Sequence, residues 1–146
     1  MISRIFNQSP LSRALYTSTS GMSAQNQRVL IISQNLANSN TRPTVPGELP
    51  YRRKVVCLKS TYNSGVGTEL VTVKKIQYDA TPFSKIYAPE DPASDPEGFV
   101  LEANVKPMLE MVDLREASHQ HEANVRAFEK ILGMLTNIIG LLKTNS

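Results

Sequence analysis

The chain has 146 residues, close to the commonest size of a single domain. Its 16 basic and 13 acidic residues give a formal net charge of +3, which is too mild to indicate a nucleic-acid partner. One cysteine excludes an intramolecular disulfide and a multi-cysteine zinc site. No run of about 18 apolar residues occurs, so we expect no transmembrane helix and no membrane insertion.

The N-terminal segment contains no acidic residue before Glu48 and is rich in Ser, Thr, Asn and Gln. Such a composition is typical of organellar transit peptides, whereas a retained structural segment should show sustained helical periodicity. Steps of four and three form an unbroken heptad frame here, which favours a retained helix. The frame consists of Leu11, Leu15, Ser18, Met22, Gln25, Val29, Ile32 and Leu36. We predict a helix over residues 11–38, about 42 Å long, that ends near Asn38–Asn40.

The middle of the chain, roughly residues 50–103, has the pattern of short strands and loops. We predict strands at Tyr51–Leu58 and Thr68–Ile76, joined by a turn at Asn63–Gly65. Shorter strands are predicted at Phe83–Tyr87 and Gly98–Glu102. Three prolines lie between these two, so the loop that joins them should be rigid and non-helical.

The C-terminal segment begins its helical pattern at Pro107, a favourable first helical residue. A second frame of alternating three and four steps follows. Its members are Met111, Leu114, Ser118, His121, Val125, Phe128, Leu132, Leu135, Ile139 and Leu142. A helix over residues 107–143 would be about 55 Å long, more than the roughly 40 Å diameter of a compact globule of this length. Either the helix breaks, with Gly133 as the candidate position, or the molecule is elongated.

These segments predict an α+β fold in which long N- and C-terminal helices pair as a coiled coil around a small β-rich insert. The expected division is residues 1–42, residues 43–106 with Pro-rich loops, and residues 107–146. The two terminal helices together would form one helical domain. Because a pair of helices buries only part of its surface, further helices from other copies or other proteins should cover the rest.

Several residues could suggest an enzyme, and each has a simpler interpretation. His119 and His121 are two apart on a helix and point in opposite directions, so they cannot share one metal ion. Cys57 lies in a strand-like run with no catalytic motif around it. The acidic loop from Glu90 to Glu97 lacks the glycine and the glutamate of an EF-hand. We therefore expect no catalytic, metal or cofactor site, and no cofactor.

Eight short motifs in order along the chain carry a family resemblance. SGMSAQ at residues 20–25 and SQNLANSNT at residues 33–41 resemble the N-terminal signature of bacterial flagellar rod and hook proteins. The later motifs resemble FlgC-type proteins of the proximal rod. They are PYRRKVV at 50–56, YAPEDPASDPEGFV at 87–100, NV at 104–105, EMVD at 110–113, AS at 117–118 and EAN at 122–124.

This resemblance implies a structural subunit of the flagellar proximal rod, the periplasmic drive shaft and export channel. Such a subunit polymerises through its terminal helices and transmits torque. Residues 1–42 would then include an export segment that is not cleaved and is read by the flagellar type III export apparatus. The implied partners are other rod proteins and further copies of the chain, and the implied location is the basal body in the periplasmic space. The alternative is a generic coiled-coil adaptor or scaffold protein.

We expect the assembly contacts to come from the two heptad frames together with motif asparagines. The expected residues are Leu15, Met22, Val29, Ile32, Leu36, Asn35, Asn38, Met111, Leu114, His121, Asn124, Val125, Phe128, Leu132, Leu135, Ile139 and Leu142.

Overall fold

The structure, a computed structural model, describes residues 9–144. Two helices, α1 (Pro10–Ala37) and α2 (Pro107–Thr144), flank four strands in the order expected for an α+β chain. The strands are β1 (Lys54–Asn63), β2 (Thr68–Tyr78), β3 (Ser84–Tyr87) and β4 (Phe99–Glu102). The first eight residues of the predicted export segment and the last two residues of the chain lie outside the described residues.

Helix α1 begins where local hydrogen bonding favours it. The Ser9 hydroxyl accepts a hydrogen bond from the backbone N–H of Ser12 at 3.1 Å, and Pro10 occupies the first helical position. The helix ends at Ala37. The side-chain amide nitrogen of the next residue, Asn38, donates to the Gln34 carbonyl at 2.8 Å. The predicted helix over residues 11–38 is confirmed to within one residue at each end.

Helix α2 runs without interruption from Pro107 to Thr144, so the predicted helix is confirmed and the candidate break at Gly133 does not occur. A Cβ atom added at Gly133 would meet no atom within 4 Å. This glycine therefore lies on an open part of the helix surface, and its cost to the helix is only its backbone entropy.

The strands form two separate two-stranded sheets, β1 with β2 and β3 with β4. Strand β1 begins three residues later than predicted and continues to Asn63, whose carbonyl accepts the N–H of Gly67 at 2.7 Å in the turn. Gly67 has a φ of +74°, a conformation that favours glycine. Strands β3 and β4 are antiparallel, with Tyr87 opposite Phe99.

The chain divides into two compact units, and each helix and the β1–β2 hairpin contribute to both. The first unit comprises the described parts of residues 1–27, 58–74 and 116–146. The second comprises residues 28–57 and 75–115. Small apolar side chains form much of the buried core. In the first unit these include Ala24 and Ala117, and in the second Ile31, Ile32, Ala93, Val100, Ala103 and Val105.

Two glycines on the helices provide a matched test of helix packing. Gly133→Ala should raise the free energy of unfolding by about 0.5–1 kcal/mol, because alanine restricts the unfolded chain and meets no neighbour. Gly21→Ala should show no such gain, because its Cβ would lie 2.8 Å from the Asn124 side-chain nitrogen. Urea denaturation of the purified chain measures both. An equal gain in the two variants would contradict the close helix approach at Gly21.

Candidate assembly interface

Asn35, from the SQNLANSNT motif, is buried in the second unit. Both atoms of its side-chain amide form hydrogen bonds with other residues of the chain. Its nitrogen donates to the Lys54 carbonyl at 2.8 Å and to Glu110 Oε2 at 3.0 Å. Its oxygen accepts the Lys54 N–H at 2.9 Å and the Tyr51 hydroxyl at 3.0 Å. Both donors and both acceptor positions are therefore satisfied. Asn35 joins α1 to the start of β1 and to α2.

Arg53, from the PYRRKVV motif, is surrounded by three carboxylates. Its Nε donates to Glu110 Oε1 at 2.5 Å, while its two terminal nitrogens lie 3.3 Å from Asp79 and from Asp113. Glu110 is completely buried, whereas the two aspartates are partly exposed. A buried carboxylate requires a paired cation and hydrogen bonds, and Arg53 and Asn35 supply them.

Asn104 completes this arrangement from the segment before α2. Its side-chain oxygen accepts the Arg53 N–H at 2.7 Å, and its nitrogen donates to the Thr81 carbonyl at 2.9 Å. We call the whole cluster the polar clasp. It consists of Asn35, Tyr51, Arg53, Asp79, Asn104, Glu110 and Asp113.

The clasp changes the pKa of its members in ways that follow from their contacts. Burial raises the pKa of the Tyr51 hydroxyl, and the nearby Tyr78 and Glu110 raise it further. Burial lowers the pKa of Arg53, but hydrogen bonds and charge from Glu110 and Asp79 outweigh it and raise the pKa overall. Two hydrogen bonds from Thr81, with a smaller contribution from Arg53, hold the pKa of Asp79 below its ordinary value of 3.8.

In the first unit, the helix segments meet through small and polar residues. The position of a Gly21 Cβ falls against the Asn124 side chain, and Gln25 donates to Gln120 at 2.6 Å. His121 Nδ1 lies 3.3 Å from the carbonyl oxygen of Met22. Residue numbers rise along α1 as they fall along α2, so these segments run antiparallel. The inward face of α2 here includes the fully buried Ala117.

A different row of α2, spaced seven residues apart, remains accessible. Met111, Leu132 and Ile139 are exposed, and Val125 is half-buried. Beside Met111 lie the exposed Met108 and Val112, which line a cavity with Arg115. Contiguous exposed apolar groups on a protein surface commonly mark contact sites for partners.

The expected assembly residues separate into groups by exposure. Ile32 and Asn35 are buried, while Met111, Leu132, Ile139 and Leu142 are exposed. The remainder are half-buried, and most lie along the two heptad frames. They are Leu15, Met22, Val29, Leu36, Asn38, Leu114, His121, Asn124, Val125, Phe128 and Leu135.

The sequence patterns did not identify Arg53, Glu110 and Asn104 as one group, although each stands in a motif that carried the resemblance. Asn104 and Glu110 lie 51 and 57 residues along the chain from Arg53, and no local periodicity links the three. The available signal was their place in these motifs, which does not show which residues contact one another.

The side chains with possible catalytic or metal-binding roles stay apart. Among residues 9–144 no group of three or more His, Cys, Asp or Glu could hold a metal ion. His119 is exposed, Cys57 is a half-buried free thiol, and Glu122 lies 3.5 Å from Arg126. In the same described part of the chain, neither helix combines the length and apolar character needed to span a membrane.

Comparison with known proteins identifies the family to which this chain is related. Residues 15–42 match the model of the flagella basal body rod protein family. The flagellar basal-body rod protein FlgC of Agrobacterium fabrum is 38% identical over 136 residues, covering 93% of this chain and 98% of that protein. The chain belongs to the FlgC family of flagellar basal-body rod proteins. FlgC of Bacillus subtilis is 37% identical, covering 89% of this chain and 97% of its own, and FlgC of Escherichia coli O6:H1 is 32% identical, covering 84% and 90%.

The FlgC-type recognition made from the motifs is confirmed, and the clasp gives those motifs a physical role within one chain. The SQNLANSNT, PYRRKVV, NV and EMVD motifs each supply at least one clasp residue. These residues bind one another, which favours a role in fixing the subunit fold. The apolar row of α2, by contrast, supplies no clasp residue, and its members Met111, Leu132 and Ile139 are exposed.

Removing the clasp cation tests its energetic role. Arg53→Met should lower the free energy of unfolding by about 3–5 kcal/mol, because the buried Glu110 carboxylate loses its paired cation. The double variant Arg53→Met/Glu110→Leu should recover part of this loss, since no unpaired buried charge remains. Denaturant unfolding of the wild type, Arg53→Met, Glu110→Leu and the double variant measures the coupling energy between Arg53 and Glu110. Additive losses would argue against a direct pair.

Acid should weaken the clasp through Asp79. Its pKa is lowered in the folded chain, so its contribution is present above the ordinary value of 3.8 and is lost as pH falls through the folded pKa. The free energy of unfolding of the wild type should therefore fall more steeply below about pH 4 than that of Asp79→Asn, which cannot titrate at this position. Denaturant unfolding at a series of pH values compares the two. Parallel pH profiles would show that Asp79 does not contribute.

Proposed function

We propose that this structural rod subunit of the flagellum polymerises through its terminal helices. The supporting observation is the accessible apolar row of α2, in which Met111, Leu132 and Ile139 are exposed. Burying each such side chain is worth about 1.5–3 kcal/mol, so a neighbour that covers the row is strongly favoured. The row extends along a helix, which suits packing against another helix.

Within one chain, we propose that α1 and α2 pair as a coiled coil and together form one helical domain, with residues 43–106 as the β-rich insert. The antiparallel contacts at Gly21, Gln25 and His121 in the first unit support this pairing. The hydrogen bond between Asn35 and Glu110 shows that segments of α1 and α2 also meet in the second unit. The inward face relies on small and polar residues, which leaves the more apolar row for other subunits.

We further propose a place in the proximal rod within the periplasmic space, where the polymer would transmit torque and enclose an export channel. The acid-free N-terminal segment would serve the flagellar type III export apparatus, without cleavage, before joining the helical domain. Its partners would be other rod proteins and further copies of the chain. A role of this kind needs neither an enzymatic activity nor a cofactor, and the relatives named above are rod proteins.

Charge placed on the exposed row tests the polymerisation. Leu132→Glu/Ile139→Glu should abolish motility and lower incorporation into basal bodies at least about tenfold, because a buried unpaired carboxylate costs several kcal/mol. Both positions are exposed in the chain, so its own fold should be retained. The measurement is the amount of the variant in purified basal bodies, with circular dichroism of the isolated chain as the check on folding.

Lys130→Glu is the matched control, because Lys130 is exposed and lies on the opposite side of the same turn. It should incorporate close to the wild-type amount. Wild-type incorporation of the Leu132→Glu/Ile139→Glu chain would contradict a role for this row in assembly.

A further inference from the structure

Two polar side chains interrupt the apolar heptad frame of α1 in the first unit, and both are buried. They are Ser18 and Gln25, which are 7% and 8% exposed. The apolar members of the same frame in this unit, Leu11, Leu15 and Met22, are only half-buried. A polar residue at a buried frame position weakens a helix pair but restricts which partner and which alignment the helix accepts.

Gln25 is joined to α2 by a direct hydrogen bond between side chains. Its Nε2 donates to Gln120 Oε1 at 2.6 Å, and Gln120 Nε2 donates to Glu116 Oε1 at 2.9 Å. A carboxylate of the same helix therefore helps to hold the Gln120 amide in place for Gln25. A buried amide that loses its acceptor is unfavourable enough to shift a pairing equilibrium about tenfold or more. The surface that covers Gln25 must therefore offer a hydrogen-bonding group.

The neighbouring contacts give the paired surface of α2 the same polar character. His121 Nδ1 lies 3.3 Å from the carbonyl oxygen of Met22. Asn124 Nδ2 donates to the Gln120 carbonyl at 3.0 Å, and the position of a Gly21 Cβ falls against the Asn124 side chain. In this stretch, the surface of α2 that faces α1 is rich in hydrogen-bonding groups.

The exposed apolar row of α2 has no such groups to offer. Leu132 and Ile139 are exposed, and their side chains carry neither a donor nor an acceptor. Burial of apolar surface alone would favour this row as a partner for α1, because each covered side chain is removed from water. If α1 of one copy packed on this row of another copy, Gln25 would lose its hydrogen bond to Gln120. The glutamine pair therefore opposes a pairing that hydrophobicity alone would favour.

We propose that Gln25 and Gln120 are specificity-determining residues that direct α1 to α2 of the same chain. The pair keeps α1 off the exposed row of other copies, so that this row stays open for the contacts of assembly. This inference rests on the proposed polymerisation through the terminal helices and names the residues that decide which helices pair within a subunit. The pair acts on the choice of partner more than on stability, since replacing both members by apolar side chains leaves no unpaired buried group.

Cross-linking between two copies of the full chain tests this choice. Two tagged chains, both with Cys57→Ser, are unfolded in urea, mixed and refolded together. One carries Ser18→Cys on α1, and the other carries Leu132→Cys or, in a second sample, Ile139→Cys. After mild oxidation, a disulfide-linked pair with both tags reports α1 of one copy on the exposed row of the other. With Gln25→Leu/Gln120→Leu in both chains, we expect at least about tenfold more of this product than with the wild-type glutamines.

Asn26→Leu/His119→Leu is the matched control, because it adds two leucines at exposed positions one residue away from the pair. It should give product at the wild-type level. Product from the Gln25→Leu/Gln120→Leu chains that does not exceed the wild-type and control amounts would overturn the proposal.

Gln25→Glu/Gln120→Lys keeps a polar pair that the apolar row cannot match. These chains should therefore also stay at the wild-type level of cross-linked product. As much product as from the leucine pair would contradict selection by hydrogen bonding.

Urea unfolding of the same chains separates the choice of partner from stability. The midpoint of the Gln25→Leu/Gln120→Leu chain should equal or exceed that of the wild type, and a clearly lower midpoint would overturn the proposal. The Cys57→Ser parent is assayed in purified basal bodies as well. Its absence there would contradict the proposed rod function, whereas its presence together with unchanged cross-linking would contradict the role of the glutamine pair alone.

Discussion

The fully buried carboxylate of Glu110 is the constraint on which the second unit depends. A charge removed from water is tolerated only when a cation and hydrogen-bond donors reach it. Arg53 supplies the cation at the start of β1, and Asn35 supplies a donor from the last turns of α1. The end of α1, the start of β1 and the start of α2 are far apart in the chain, and they meet at the Glu110 carboxylate. These contacts fix the orientation of the hairpin base and of both helix segments in this unit.

In the first unit, small and polar residues of α2 face α1. Ala117 is fully buried, and the position of a Gly21 Cβ falls against the Asn124 side chain. These small and polar residues allow close approach, as the contact between Gly21 and Asn124 illustrates. The neighbouring row that contains Leu132 and Ile139 is exposed. The proposed polymerisation would use this exposed row.

The sequence predicted the helices well because their ends depend on local chemistry, such as Pro10 after Ser9 and the Asn38 side chain at the end of α1. It predicted the start of β1 less well, because the N–H of Arg53 bonds to Asn104 through a contact across 51 residues. The α2 frame was chosen by hydrophobicity, whereas the buried positions Glu110 and Ala117 lie one residue away from it. Periodicity identifies the apolar row but cannot show which positions of α2 are buried.

The measurement that tests the account most directly is intact-mass spectrometry of this chain in purified hook–basal bodies from its source cell. A rod subunit with a retained export segment predicts that the chain is present at close to its full mass of 16.2 kDa. Absence from intact basal bodies would contradict assembly into the rod. A chain trimmed of its first few dozen residues would contradict the retained N-terminal segment and the helix pairing that depends on it.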